Sequence, residues 1–197
     1  MSKKRTATVS RETKETRIEL EVNLDGAGEC GIDTGIGFFD HMLEAITRHG
    51  LLDLGIKCSG DLEVDEHHTV EDVGLALGQG LLEALGDKSG IVRFGTAFAP
   101  LDEAMARTVI DISGRPHLTF NAKISEPSPE NFTSSIIPEF FRAITSAGRF
   151  TCHIDLEAGD NFHHQVEAIF KSFALALKAA VALDPRVKGI PSTKGKL

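Results

Sequence analysis

The chain has 197 residues, enough for one domain or for two half-size units fused around a shared core. Its 41% hydrophobic content is that of an ordinary globular protein, and a net charge of -8 argues against general nucleic-acid binding. Three cysteines (Cys30, Cys58, Cys152) are odd in number and form no C-x-x-C pair, which points to a reducing, cytoplasmic setting.

Met1 to Arg17 is basic and polar without an apolar stretch, so it does not read as a secretory signal. Glu15 lies in this segment, which reads as mobile, and its plain reading is a solvated carboxylate. From Arg17 to Leu24, Ile18, Leu20, Val22 and Leu24 alternate with polar residues and predict a strand with one buried face. Asp25, Gly26 and Gly28 form the turn that follows. Thr34 to Leu43 is a glycine-punctuated loop leading into a helix that runs through Arg48. Leu51 to Leu62 reads as another strand, and Asp61 to Asp65 leads into a second helix.

That helix opens with His67-His68-Thr69-Val70-Glu71. At about 100° per residue, His67, Glu71 and His68 fall at about 0°, 40° and 100° on one flank. Val70, Val73, Gly74, Leu77 and Leu81 fall between about 240° and 340°, a separate apolar stripe. Ninety-six residues later comes His163-His164-Gln165-Val166-Glu167, with Val166, Ile169, Phe170, Phe173 and Leu177 in the same sector. A single paired histidine is as well explained by a helix start or a solvated turn as by a ligand. Two pairs in register point to metal. Adjacent histidines diverge by about 100°, so each pair serves two ions, and each ion draws on both halves. Imidazole and carboxylate without thiolate favour Mn²⁺, Fe²⁺ or Ni²⁺ over structural zinc.

The second half repeats the first at shifting offsets. Val109 to Gly114 echoes Val22 to Gly26, and Phe140 to Thr145 echoes Met42 to Thr47. Phe150 to Leu156 is a strand, and Asn161 opens the second His-His helix. Each half reads strand, strand, helix, strand, helix. The prediction is an α+β fold: two pseudo-symmetric strand/helix repeats (about 1–90 and 91–197) in one domain, with helices on one face of each sheet. Ser125 to Asn131 reads as an exposed loop. Phe173 to Leu183, broken by Lys178, is far too short to span a membrane. Arg93, Arg115, Lys171 and the tail Pro191 to Lys196 supply cations. Lys171 falls at about 80° on the helix of His163, on the metal flank. It would pair with Glu167 as an ordinary i,i+4 couple or, if that carboxylate holds a metal, meet an anion such as phosphate, with Ser192 and Lys194 adding donors.

Several segments carry a family likeness. They are Thr34-Gly-x-Gly-Phe-Phe-Asp-His41-Met-Leu, Asp65-Glu-His-His-Thr-Val-Glu-Asp72, Ala99-Pro-Leu-Asp-Glu-Ala104, Ser113-Gly-Arg-Pro116, Asn161-Phe-His-His-Gln-Val-Glu-Ala-Ile-Phe-Lys171 and Pro191-Ser-Thr-Lys-Gly195. Together they resemble imidazoleglycerol-phosphate dehydratase over essentially the whole chain, in its monofunctional form. The resemblance implies a fold similar to ribosomal protein S5 domain 2. It implies conversion of imidazole glycerol phosphate to imidazole acetol phosphate in histidine biosynthesis, with two Mn²⁺ per active site and a shell of 24 subunits with sites at interfaces. By matched position, His41, His67, His68, Glu71, His163, His164 and Glu167 would be metal ligands. Glu139, the repeat partner of His41, stands where some relatives carry histidine, and a carboxylate can replace imidazole on Mn²⁺. Glu15 would be the acid/base. Arg93, Arg115, Lys171, Ser192 and Lys194 would hold phosphate, and His49 would line the substrate site. His153, inside a strand, reads as structural.

The reaction asks for such a site. The proton to be lost is not acidic until the neighbouring hydroxyl leaves, pushed by an imidazolate ring held between two Lewis acids. A diazafulvene-like intermediate then acidifies the C–H that a carboxylate removes. A binuclear phosphate-ester hydrolase would lean on bridging aspartates, which neither cluster repeats at helical spacing. Metal storage would leave the cations beside the ligands without a purpose.

Overall fold

The computed structural model describes residues 4–129 and 132–197. The last two residues of the predicted 125–131 loop and the first three of the N-terminal segment lie outside them. Two four-stranded sheets share one pattern. In the first half, β1 (Thr6–Glu12), β2 (Thr16–Asn23) and β3 (Cys30–Asp33) precede α1 (Gly37–Gly50), β4 (Asp53–Gly60) and α2 (His67–Leu85). In the second, β5 (Phe94–Leu101), β6 (Ala104–Asp111) and β7 (His117–Asn121) precede α3 (Ile136–Gly148), β8 (Thr151–Ala158) and α4 (Phe162–Val181). The sheet orders are β1-β2-β4-β3 and β5-β6-β8-β7, each with one parallel pair at the end.

The α+β reading holds, but each half has three strands ahead of its first helix, one more than predicted. β1 escaped notice because it is an edge strand whose only buried residue is Val9. β3 and β7 are too short and too exposed to show alternation. The segment carrying Glu15 is also not the mobile arm expected. It is the tight turn of the β1–β2 hairpin, closed by Thr13 N–H donating to the Thr16 carbonyl at 2.9 Å.

The predicted stripes are the core. Val70, Val73, Leu77 and Leu81 of α2, and Val166, Ile169, Phe170, Phe173 and Leu177 of α4, are all buried. α2 covers β1 and β2, and α4 covers β5 and β6. The short helices cross over: α1 packs on α4 of the other half, and α3 packs on α2. Glycine permits the second contact. A Cβ on Gly74 would lie 2.8 Å from Ala143 Cβ, and one on Gly78 would lie 2.5 Å from the Ile144 carbonyl oxygen. Because that obstacle is backbone, Gly78→Ala should force α2 and α3 apart and cost about 1–3 kcal/mol. A lowered urea midpoint with an unchanged m-value would show it; a midpoint equal to wild type would refute the close-approach argument.

Candidate metal centre

The α1–α4 contact brings three predicted ligands together. His41 Nε2 lies 3.2 Å and His163 Nε2 3.0 Å from the same atom, Glu167 Oε2. The three ligand atoms lie within 4.8 Å of one another. An octahedral ion with ligands about 2.1 Å away has neighbouring ligands about 3.0 Å apart, so these edges suit one such cation. Phe38 fixes the His163 ring edge-on at 5.2 Å. His41 comes from the first half and the other two from the second.

Lys171 Nζ sits 2.5 Å from the other carboxylate oxygen, Glu167 Oε1, forming the expected i,i+4 pair. It is not a solvated surface pair, since the side chains are only 19% and 12% exposed. Burial pushes the Glu167 carboxyl up, but hydrogen bonds from Lys171, His163 and His41 outweigh it and bring it down to about 2. His49, at the end of α1, is held below the usual imidazole value by burial and then by the charge of Lys171, with Glu167 opposing. This places it in the electrostatic reach of the same group.

The quasi-equivalent contact, α2 against α3, is less complete. His67 Nε2 lies 3.5 Å from Glu71 Oε2. Glu139 is engaged by Arg142 one turn on. The second histidine of each pair points elsewhere, as the divergence between adjacent helix positions requires. His68 Nδ1 lies 3.0 Å from Asp61, and its Nε2 lies 3.9 Å from Glu15. His164 Nδ1 lies 2.7 Å from Glu103, and its Nε2 lies 3.9 Å from Asp102. These hydrogen bonds raise both imidazoles above their usual value. The Glu103 carboxyl, bonded to His164 and to backbone N–H groups, is drawn down to about 2.

Glu15 is about half exposed and set by its turn. Its N–H donates to Thr13 Oγ1 at 3.1 Å, and its carbonyl accepts from Asp61 N–H at 3.1 Å. Next to it, the Thr16 hydroxyl donates to buried Asp72, which also accepts from Arg11. Asp72 thus anchors the hairpin to α2.

The remaining cations gather at another place. Arg93 grips Asp111 through Nε and Nη2 at 2.7 and 3.1 Å, and donates from Nη1 to the Pro191 carbonyl at 2.9 Å. Its φ of 77° is a strained conformation for a side-chain-bearing residue. The Arg93 carbonyl accepts from Ile112 N–H, which leads into Ser113 and Arg115. Ser192 Oγ accepts from Lys194 N–H at 3.2 Å. Arg93, Arg115, Ser192 and Lys194 therefore share one end of the second sheet, while Lys171 stands with the histidines. His153 is exposed on the sheet face away from the helices, its ring 5.6 Å from that of His117.

Asp61, Glu103 and Asp72 escaped the sequence reading. Each looked like a turn or surface acid, although Asp72 and Glu103 both lie within the segments that carry the family likeness. Among the described residues no helix is long and apolar enough to cross a membrane.

Residues 34–177 match the family model described as imidazoleglycerol-phosphate dehydratase. Proteins of that name from Methylobacillus flagellatus and Paracidovorax citrulli are 53% and 55% identical, over 100% and 98% of this chain and 100% and 93% of theirs. The crystal structure of the dehydratase from Staphylococcus aureus matches with a TM-score of 0.82 at 42% identity, covering 91% of this chain and 99% of that one. That from Pyrococcus furiosus gives 0.83 at 36%, covering 96% and 100%.

A carboxyl whose folded value is depressed stabilises the fold above its ordinary value, and that contribution drains as pH falls toward the folded one. For Glu167 the window runs from 4.5 down to about 2. The metal-free chain should lose stability through that window, and Glu167→Gln should flatten this part of the profile. Denaturant midpoints measured against pH decide it; an identical acid limb in the variant would rule Glu167 out as a contributor.

Proposed function

The chain belongs to the imidazoleglycerol-phosphate dehydratase family, a hydro-lyase of histidine biosynthesis, and on that premise we propose how its residues carry out the dehydration. The observation that carries the reading is the convergence of His41, His163 and Glu167 on one point, with Lys171 beside it. Two Mn²⁺ per active site, bound by His41, His67, His68, Glu71, Glu139, His163, His164 and Glu167, would supply the Lewis acidity that keeps the substrate ring as imidazolate. Lys171 and His49 line the pocket beside the cluster, and Arg93, Arg115, Ser192 and Lys194, which lie at another place in one chain, join Lys171 on the phosphate from a neighbouring subunit. With the ring electron-rich, the hydroxyl beside it departs and leaves a diazafulvene-like intermediate. Glu15, the one acid of this set not committed to a cation, removes the adjacent proton, and the enol becomes the ketone.

In one chain His68 and His164 present their Nε2 atoms away from the His41–His163–Glu167 cluster. That supports completion of each site by a neighbouring subunit; the proposed assembly, of 24 subunits in the cytoplasm, rests on the family likeness. Formation of the ketone from imidazole glycerol phosphate tests the function; release of inorganic phosphate instead would favour the hydrolase.

Lys171→Met should raise KM roughly tenfold to a hundredfold, the value of a charge-assisted contact, while elemental analysis finds normal metal content. An unchanged KM would return Lys171 to the role of a helix pair.

Glu15→Gln should keep fold, metal and KM yet lose about two orders of magnitude or more in kcat, within the usual worth of general acid–base help. Mixing it with a His164→Asn chain should restore partial turnover if Glu15 serves a neighbour's site. Near-normal kcat in Glu15→Gln ends the catalytic assignment; failure of the mixture ends only its action in trans.

A further inference from the structure

The two halves solve one positioning problem with different residues. In the sheets, Asn23 pairs with Asp53, and Asp111 pairs with Thr151. Eight residues back from Asn23 and Asp111 lie Glu15 and Glu103, both in the turns of their hairpins, although a register shift between Met105 and Ala106 intervenes in the second sheet. Their uses differ. Glu103 is turned onto His164 Nδ1 at 2.7 Å and held there by the N–H groups of Asp160 and Asn161, at 3.2 and 3.0 Å. Glu15 makes no such bond; the Nδ1 of His68 is taken by Asp61, at 3.0 and 3.2 Å to its two oxygens.

Loop length explains the exchange. Residues 61–66 join β4 to α2, whereas only residues 159–161 join β8 to α4. The longer loop lets Asp61 turn back toward His68. In the shorter one the corresponding residues are spent on starting the helix, with Asn161 as its cap accepting from His164 N–H.

We propose that Asp61 and Glu103 are positioning residues that hold His68 and His164 as Nδ1–H tautomers, leaving each Nε2 lone pair for a divalent cation, and that Asp61 thereby frees Glu15 for proton transfer. An imidazole that donates from one nitrogen must offer the other as acceptor, so the carboxylate selects the ligating atom. The inference rests on the proposed reading of His68 and His164 as metal ligands.

The test uses Asp61→Ala and Asp61→Asn, because the Asp61 side chain, unlike that of Glu103, does not also hold the backbone at the start of a helix. Solid-state NMR of ¹⁵N-histidine in the metal-stripped full chain, at a pH where imidazole is neutral, reports which nitrogen carries the proton. One histidine should leave the Nδ1–H form in Asp61→Ala and keep it in Asp61→Asn, whose amide oxygen still accepts. Titration with Mn²⁺ alone should show affinity about 10–100-fold weaker in Asp61→Ala and close to wild type in Asp61→Asn. An unaltered tautomer or wild-type affinity in Asp61→Ala overturns the proposal. The metal reading has its own control: His68→Asn binding Mn²⁺ as wild type does would sink that reading, while the nitrogen spectrum would still decide which atom is protonated.

Discussion

The site depends on α1 lying against α4. That contact joins helices from opposite halves, and it alone sets His41 opposite His163 and Glu167. Both helices bury apolar side chains in the core, Met42, Leu43 and Ile46 from α1 and the Val166–Leu177 stripe from α4. The polar ligands stand at the rim of this packing, with Glu167 largely covered and the histidines more exposed. A well-packed core transmits its rigidity to such a rim, so that a few side chains can be held to ligand spacing on a helix surface.

Duplication with divergence explains the differences between the two helix pairs. Lys171 on α4 corresponds to Leu75 on α2, and Arg142 on α3 corresponds to Glu44 on α1. One cluster therefore carries its cation on the long helix, bonded to Glu167. The other carries it on the short helix, bonded to Glu139. The same divergence separates the roles of Glu15 and Glu103, which stand in the turns of matching hairpins.

Arg93 shows another constraint at work. Its backbone is strained, yet the fork onto Asp111, the Pro191 carbonyl and its own N–H bond to the Ala180 carbonyl over-determine it. The C-terminal tail is thereby tied to the end of the second sheet, which gathers Ser192 and Lys194 with Arg93 and Arg115. Gly114, at a φ of 73°, lies against the terminal residue Leu197 and completes the gathering.

The sequence by itself determined the helices, their buried stripes, the duplicated plan and the His-His-x-x-Glu pairs, because these are periodic and periodicity is local. It placed none of β1, β3, β5 and β7, whose order comes from pairing with a neighbour more than from their own pattern. It placed Glu15 on a mobile arm because the hairpin that fixes the residue is closed by a strand with a single core side chain. Tertiary structure alone decided that short and long helices exchange partners between halves. It also decided that Asp61 and Glu103 face histidines and that Lys171 stands apart from the other cations. Those facts rest on contacts between residues distant in sequence, where a carboxylate in a turn looks like any solvated acid until the chain folds an imidazole against it.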